Sequence, residues 1–194
     1  MDHVQRAIGG GESAAHLPPE LNVYGNTFDQ NGAWQYDPPY GYVWYPTVAA
    51  DWRPYYNGYW ATVPTYGYTW IGLDVWSWPT HHYGRWGFSV GSWFWIPGAQ
   101  WAPAHVSWAY APGYVSWCPL GFNNRPVYSF SASAGAGWGA GWVVMPRDRF
   151  GVGHDHVADA RQRQPSIAVV HGRRVALHRN DHVGRAAGDG IRGA

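Results

Sequence analysis

A tryptophan and glycine pattern that recurs every 26 residues is the feature that most constrains how this chain folds. Trp34, Trp60 and Trp86 follow one another at this spacing, and a glycine stands two positions before each of them. In the first two copies a second tryptophan, Trp44 or Trp70, follows ten residues after the first. Fixed periods of about 20 to 50 residues are typical of repeat architectures. We therefore predict tandem repeats in which these five tryptophans hold structural positions.

Each of the first two copies reads as a β-hairpin. An aromatic segment runs into a turn rich in Pro and Gly and then returns, over residues 34–45 in the first copy and 60–71 in the second. Aromatic and β-branched residues favour strands, whereas Gly, Pro, Asn and Asp favour turns. The turn lies midway between Trp60 and Trp70, so we predict that they face each other across the hairpin and fix its register. The glycine two positions earlier is expected to set the turn into each strand.

The recurrence of proline through the repeats argues against helices, because proline breaks a helix interior. We predict an all-β fold of tandem β-hairpin repeats over residues 21–150, with a first strand at 21–28 and a last strand at 142–145. A meander, a small barrel and a propeller-like ring all satisfy the period. Residues 1–20 are predicted to be a disordered lead-in, and residues 151–194 a mostly disordered tail that contains Arg, Gly and His.

Charge is sparse in the aromatic part of the chain. Residues 21–146 hold three Arg and four Asp, whereas residues 147–194 hold nine Arg and five Asp. A net charge of −1 gives the first region no basis for binding a phosphate backbone, so we predict no nucleic-acid partner for it. The tail, at +4, is interpreted as solvated. The sequence shows no transmembrane segment and no visible signal peptide.

Six ordered motifs carry a resemblance to a known family. They are DWRPYYNGYW at 51–60, YGYTW at 66–70, WSWPTHHYGRW at 76–86, WIPGAQWAPAHVSW at 95–108, GYVSWCPLG at 113–121 and WVVMPRDRF at 142–150. Together they resemble the Trp-rich bacterial domain of unknown function that is often found beside FecR-like domains. The resemblance implies an exported, extracytoplasmic protein of the periplasm or cell surface, and it implies no catalytic residue. Cys118 stands where that family more often has a small residue, so the resemblance implies no general role for its thiol.

The number of tryptophans predicts an aromatic surface. Thirteen of the 15 Trp lie between residues 34 and 117, more than small hairpins are expected to bury. Exposed aromatic patches mark binding sites, and flat rings suit a polysaccharide or cell-wall glycan, or a quaternary ammonium group. Trp76, Trp78, Trp93 and Trp95 are the candidates, since residues two apart on a strand share one face.

Three functions remain open at this point. The leading hypothesis is a non-enzymatic, envelope-associated module that binds or scaffolds through its aromatic surface. The alternative is a purely structural, self-assembling protein with buried tryptophans, whose sheet edges pair with other copies or with envelope proteins. The third is a glycan hydrolase, which would need two suitably spaced carboxyl groups. Asp37, Asp51 and Asp74 occupy different positions in their repeats, which favours turn or cap roles.

The histidines His81, His82 and His105 are the one cluster of titratable side chains in the repeat region. Zinc sites use three or four ligands in recognisable spacings, and this spacing matches none of them. Hydrogen-bonding or surface histidines are therefore the favoured interpretation. We predict no metal site, no cofactor and no catalytic residue.

Overall fold

The computed structural model of the protein describes residues 11–128 and 141–151. Within these ranges it contains short 3-10 helices at Glu12–Ala15, Pro19–Tyr24 and Arg147–Arg149, and two α-helices, α1 at Gly25–Asn31 and α2 at Ser77–His82. The strands are β1 Gly32–Asp37, β2 Gly41–Pro46, β3 Gly58–Val63, β4 Gly67–Gly72, β5 Arg85–Ser89, β6 Ser92–Ile96, β7 Val106–Ala111, β8 Tyr114–Pro119 and β9 Val143–Pro146.

The strands form antiparallel hairpins in three separate sheets. The first sheet has the order β1-β2-β6-β5, the second is the β3-β4 hairpin alone, and the third has the order β7-β8-β9. The predicted all-β fold of tandem hairpins is confirmed. Of the three closures that the period allowed, the described residues adopt the meander, and they contain no closed barrel.

Cross-strand tryptophan pairs occur in all four hairpins. The partners are Trp34 and Trp44, Trp60 and Trp70, Trp86 and Trp95, and Trp108 and Trp117. The predicted facing of Trp60 and Trp70 is therefore confirmed, and the same pairing occurs in the third copy, where the two tryptophans are nine residues apart, and in the β7-β8 hairpin. The tryptophan pair helps to fix the register of each hairpin, because a slip of one strand by one residue would move its tryptophan to the other face of the sheet.

These rings meet in the interior and tie the sheets together. The ring centroids of Trp60 and Trp117 lie 5.5 Å apart and the ring planes meet at 83°, an edge-to-face contact that joins the second sheet to the third. The ring centroids of Trp44 and Trp76 lie 5.2 Å apart with ring planes at 70°, and this contact joins the first sheet to the segment before α2. Aromatic pairs of this kind contribute about 0.5–1.5 kcal/mol beyond the area they bury. The interior thus contains many indole rings alongside a smaller number of aliphatic side chains.

The glycine two positions before each leading tryptophan makes room for the indole of the facing strand. A Cβ on Gly32 would stand 2.5 Å from the Trp44 ring, and one on Gly58 or Gly84 would stand 2.7 Å from the Trp70 or Trp95 ring. Only Gly84 has a positive φ, of 67°. The expectation that this glycine sets a turn is therefore wrong for Gly32 and Gly58, where its purpose is close approach.

The segment before the first hairpin is helical, so the predicted first strand at 21–28 is wrong. Leu21, in the 3-10 helix, and Phe28, in α1, are both buried, and Gly25 has helical dihedral angles. Ordered structure also begins before residue 21, because Ser13 and Leu17 are buried. The predictions for residues 1–10 and for most of the C-terminal tail fall outside the described residues.

The expectation that helices are absent from the repeats also fails at α2. Proline stands there at Pro79, the third residue of the helix. The first N–H groups of a helix have no acceptor within it, so a proline in the first turn removes no hydrogen bond. The short segment therefore forms a helix despite its proline, and this helix positions the candidate site.

Candidate functional site

The structure separates the four tryptophans that were predicted to be exposed. Trp76, Trp93 and Trp95 are buried, and only Trp78 is exposed, at 46%. The prediction of exposure is wrong for β6 because that strand lies between β2 and β5 and is covered on both faces. It is wrong for Trp76 because residues two apart around the start of a helix point in different directions, unlike those on a strand.

Trp78 is the outer end of a ladder of rings that we call the aromatic strip, formed by Trp78, His82, Trp101 and Tyr66. The ring centroids of Trp78 and His82 are 4.1 Å apart. His82 stacks on Trp101 at 5.8 Å and 15°, and Trp101 lies 4.6 Å from Tyr66. Tyr66 is 55% exposed, whereas His82 is buried. The strip thus has two open rings at its ends and a fixed support between them.

Helical spacing and backbone hydrogen bonds hold the strip in place. Trp78 and His82 are four residues apart on α2, so they share one face of the helix. The His82 imidazole Nδ1 lies 2.9 Å from the carbonyl of Ala102, whose own N–H donates to the His82 carbonyl at 2.9 Å. The Trp70 N–H also donates to the Pro103 carbonyl at 3.1 Å. The loop that carries Trp101 is therefore hydrogen-bonded to α2 through Ala102 and to β4 through Pro103.

The strip is electrically neutral. Burial lowers the pKa of His82 below its ordinary value, although hydrogen bonds to the carbonyls of Ala102, Trp70 and Pro103 oppose the shift. Its neutral imidazole contacts the rings of both Trp78 and Trp101. A ligand on the strip would meet aromatic rings, with no charge from the strip itself.

The other two histidines belong to a buried hydrogen-bond network around Tyr55. The Tyr55 N–H donates to His81 Nε2 at 3.2 Å, and the Tyr55 hydroxyl donates to the His81 carbonyl at 2.7 Å. The N–H of His105 in turn donates to the Tyr55 hydroxyl at 2.9 Å. Because His81 Nε2 accepts, its proton sits on Nδ1, which donates to the Ser77 carbonyl at 3.0 Å. This network joins α2 to the loops on either side of it.

Burial keeps these histidines neutral. It lowers the pKa of His81 to about 3. Burial, together with the positive charge of Arg85, lowers the pKa of His105 to about 4. Arg85 Nη1 lies 2.8 Å from His105 Nδ1, which must accept because the guanidinium only donates. Among the described residues, no group of three or more His, Cys, Asp or Glu side chains is placed to hold a metal ion.

Two of the three carboxylates considered for hydrolysis have structural partners. Asp74 accepts from the Trp52 indole at 3.2 Å and from the Asn57 amide at 3.0 Å. Asp37 accepts from the Tyr45 hydroxyl at 3.1 Å, and burial together with this bond raises the pKa of Tyr45 to about 12. The hydrogen bonds of Asp37 and Asp74 thus join side chains within the fold, whereas Asp51 is exposed.

The one cysteine of the chain, Cys118, is buried, and burial raises the pKa of its thiol to about 11.

Sequence reasoning missed three of the four members of the strip. His82 and Trp78 carried a readable signal, since a separation of four residues matches one face of a helix. Tyr66 lies in the turn of the β3-β4 hairpin and Trp101 in a loop after β6, so neither has a periodic neighbour in sequence. Their meeting depends on how separate hairpins pack, which no local pattern specifies.

The sequence profile of a family of unknown function, DUF6600, matches residues 25–124 of this chain. The match runs from the start of α1 to the segment after β8 and includes every residue of the aromatic strip. No curated protein and no solved structure matches the chain. In the part of the chain that the structure describes, neither α1 nor α2 has the length or the apolar run that spanning a bilayer requires.

Proposed function

This chain belongs to the DUF6600 family of unknown function, and from that premise we propose that it is a non-enzymatic module that binds a neutral polysaccharide or cell-wall glycan through the aromatic strip. One observation carries the proposal. Trp78 and Tyr66 leave about half of their surface in solvent while a buried histidine and Trp101 hold them from beneath.

The chemistry of the strip matches one face of a sugar ring. The axial C–H groups of a pyranose form an apolar face that packs on an aromatic ring, while the hydroxyl groups around the rim stay in water. Tryptophan and tyrosine supply a large contact area with few rotatable bonds, so little conformational entropy is lost on binding. The fastened loop and α2 keep the rings in position beforehand, which lowers the free energy needed to order the site.

The neutrality of the strip favours an uncharged sugar over the quaternary ammonium group that the sequence left open. A cation would need an aromatic cage that surrounds it, whereas the strip is a linear ladder with open rings at its two ends. A linear arrangement suits successive units of an extended chain. The proposed ligand is therefore a glycan.

We place this module outside the cytoplasm, in the periplasm or at the cell surface, and in the company of FecR-like domains. This part of the proposal rests on the motif resemblance in the sequence. Fractionation of cells that produce the full natural gene product with an epitope tag tests it. Recovery of the tagged chain in the cytoplasmic fraction alone would rule it out.

The two other functions have different support. Self-assembly has some support from the β3-β4 hairpin, a two-stranded sheet that pairs with no other described strand, although the Trp70 N–H on β4 already donates to the Pro103 carbonyl. Hydrolysis gains nothing comparable, because Asp37 and Asp74 both accept hydrogen bonds from neighbouring side chains. Self-assembly therefore stays the second candidate, and a concentration-dependent sedimentation coefficient would support it.

The binding proposal is tested by calorimetric titration with neutral oligosaccharides of chitin and β-glucan type. We expect Trp78→Ala and Tyr66→Ala each to weaken binding by about tenfold or more, the range in which truncated aromatic anchors usually fall. Tyr36→Ala is the matched control, since Tyr36 is an exposed aromatic residue on β1 outside the strip. The proposal fails if no glycan binds, or if the strip variants bind as well as the control does.

A further inference from the structure

The side chain of His105 lies between the two segments that carry the stacked pair of the aromatic strip. Its ring nitrogen Nε2 is 3.2 Å from the His82 carbonyl oxygen and 3.3 Å from the Gln100 carbonyl oxygen. His82 is the last residue of α2, and Gln100 directly precedes Trp101 in the loop after β6. An N–H group on Nε2 therefore reaches a carbonyl on each side of the contact between His82 and Trp101.

The contact with Arg85 places a proton on that nitrogen. Arg85 Nη1 lies 2.8 Å from Nδ1 of His105. A guanidinium has donors and no acceptor, so Nδ1 accepts and carries no proton. The one proton of the neutral imidazole then sits on Nε2, where it faces the carbonyls of His82 and Gln100. We call this pair of hydrogen bonds the His105 bridge.

The ring that makes the His105 bridge is itself a fixed support. His105 is buried. Its backbone N–H donates to the Tyr55 hydroxyl at 2.9 Å, and its carbonyl accepts from the Leu120 N–H at 2.9 Å. Arg85, which orients the ring, also donates from Nε to the Asn124 side-chain oxygen at 2.8 Å. A side chain whose rotamer is locked in this way can hold another group in place.

The His105 bridge holds the backbone of the loop on the side of Trp101 toward β6. On the other side, the Ala102 N–H donates to the His82 carbonyl at 2.9 Å. The backbone is therefore bonded both before and after Trp101, which restricts rotation of the segment that carries its ring. Loss of the bridge would remove the hold at Gln100 and leave the hold at Ala102.

We infer that His105 is a positioning residue of the aromatic strip, which holds Trp101 against His82 through its Nε2 proton. It does not belong to the strip, so its effect on a ligand passes through the position of Trp101. The effect on binding rests on the proposed function, whereas the positioning of the loop does not. A site whose rings are ordered before the ligand arrives loses less free energy on binding.

Two substitutions of nearly equal length separate the hydrogen bonds of His105 from the space that it fills. His105→Gln keeps an amide N–H group where Nε2 stands, whereas His105→Met fills similar space and has no donor. If His105 only fills space, the apolar methionine should serve at least as well as glutamine. The inference requires the opposite order. Nitrogen-15 NMR of the natural protein at pH 7 should also show the His105 proton on Nε2, and a proton on Nδ1 overturns the inference.

Hydrogen exchange of the Ala102 N–H measures the position of the loop without a ligand. We expect exchange on the order of tenfold faster in His105→Met than in the natural protein, and restored protection in His105→Gln. The Thr47 N–H, which donates to the Asn31 carbonyl at 2.8 Å beside the first sheet, is the reference amide. Equal exchange of Ala102 in both variants overturns the inference, and so does an equal acceleration at Thr47, which would show general destabilisation.

Calorimetric titration with the neutral oligosaccharides measures the effect on binding. We expect His105→Met to bind about tenfold more weakly than the natural protein, as for one lost buried hydrogen bond, and His105→Gln to recover most of that loss. Equal affinity of the natural protein and His105→Met overturns the inference alone. If the natural protein binds no glycan, the proposed function fails, and hydrogen exchange at Ala102 still decides whether His105 positions the loop.

Discussion

The interior tryptophans and the aromatic strip use the same side chain in opposite ways. Trp95 is fully buried, donates its indole N–H to the Tyr83 carbonyl at 2.9 Å and packs against the rings of Phe28 and Trp34. Trp78 is exposed, and His82 is its one ring partner among the described residues. Each of them has another tryptophan two residues before it, Trp93 for Trp95 and Trp76 for Trp78. The difference shows that the element around a tryptophan decides its exposure.

The largest expected effect tests this contrast directly. Trp95→Ala removes a fully buried ring, and such truncations cost about 3–5 kcal/mol of the free energy of unfolding. Trp78→Ala removes a half-exposed ring and should cost less than about 1 kcal/mol. Urea unfolding of both variants, followed by circular dichroism, measures the two values. Similar losses in both would mean that the strip is part of the core, and the binding proposal would lose its basis.

The interior half of this comparison is the half that the sequence predicts well. The ten-residue spacing of Trp60 and Trp70, with a turn midway, is local information, and hairpin register depends on local information. The same reasoning places Trp34 opposite Trp44. A glycine two positions before the leading tryptophan was also visible, although its purpose emerged only from the packing of the facing indole.

The exposed half could not be predicted because it depends on contacts between distant hairpins. Tyr66 and Trp101 are 35 residues apart in sequence, and they meet only because the loop after β6 is bonded to β4 and α2. The error at Trp76 arose from assigning a strand where Pro79 stands in the first turn of a helix. Side chains alternate every two residues on a strand but repeat every 3.6 residues on a helix, so Trp76 and Trp78 do not share a face.

Acid should loosen the interior, where the histidines are buried. Folding lowers the pKa of His81 from 6.5 to about 3 and that of His105 to about 4. As the pH falls, the unfolded chain therefore takes up these protons before the folded chain does. The contribution of the neutral histidines to the free energy of unfolding is complete above about pH 6.5 and is lost as the pH falls toward 3. A tenfold change in proton affinity is about 1.4 kcal/mol, so we expect each histidine to contribute a loss of on the order of 3 kcal/mol between about pH 7 and pH 4.

A histidine variant separates this effect from the general titration of carboxylates. In His81→Gln, an amide oxygen replaces the nitrogen that accepts from the Tyr55 N–H, and no buried imidazole remains at that position to be protonated. Urea unfolding across this pH range should show a shallower pH dependence for the variant than for the natural protein. The network has no part in acid sensitivity if the two pH profiles run parallel.

The smallest of the stability effects concerns the room that a glycine leaves for an interior ring. A Cβ at Gly58 would overlap the Ile71 carbonyl and stand 2.7 Å from the Trp70 ring. Overpacking of this kind costs about 1–3 kcal/mol, so Gly58→Ala should lower the midpoint of urea unfolding. Gly25→Ala is the matched control, because a Cβ there meets only the Ser13 Cβ at 4.0 Å and the residue lies in α1, where alanine favours the helix. If both alanines are tolerated equally, the interior rings are not held at close approach, and the glycine of the 26-residue repeat needs another explanation.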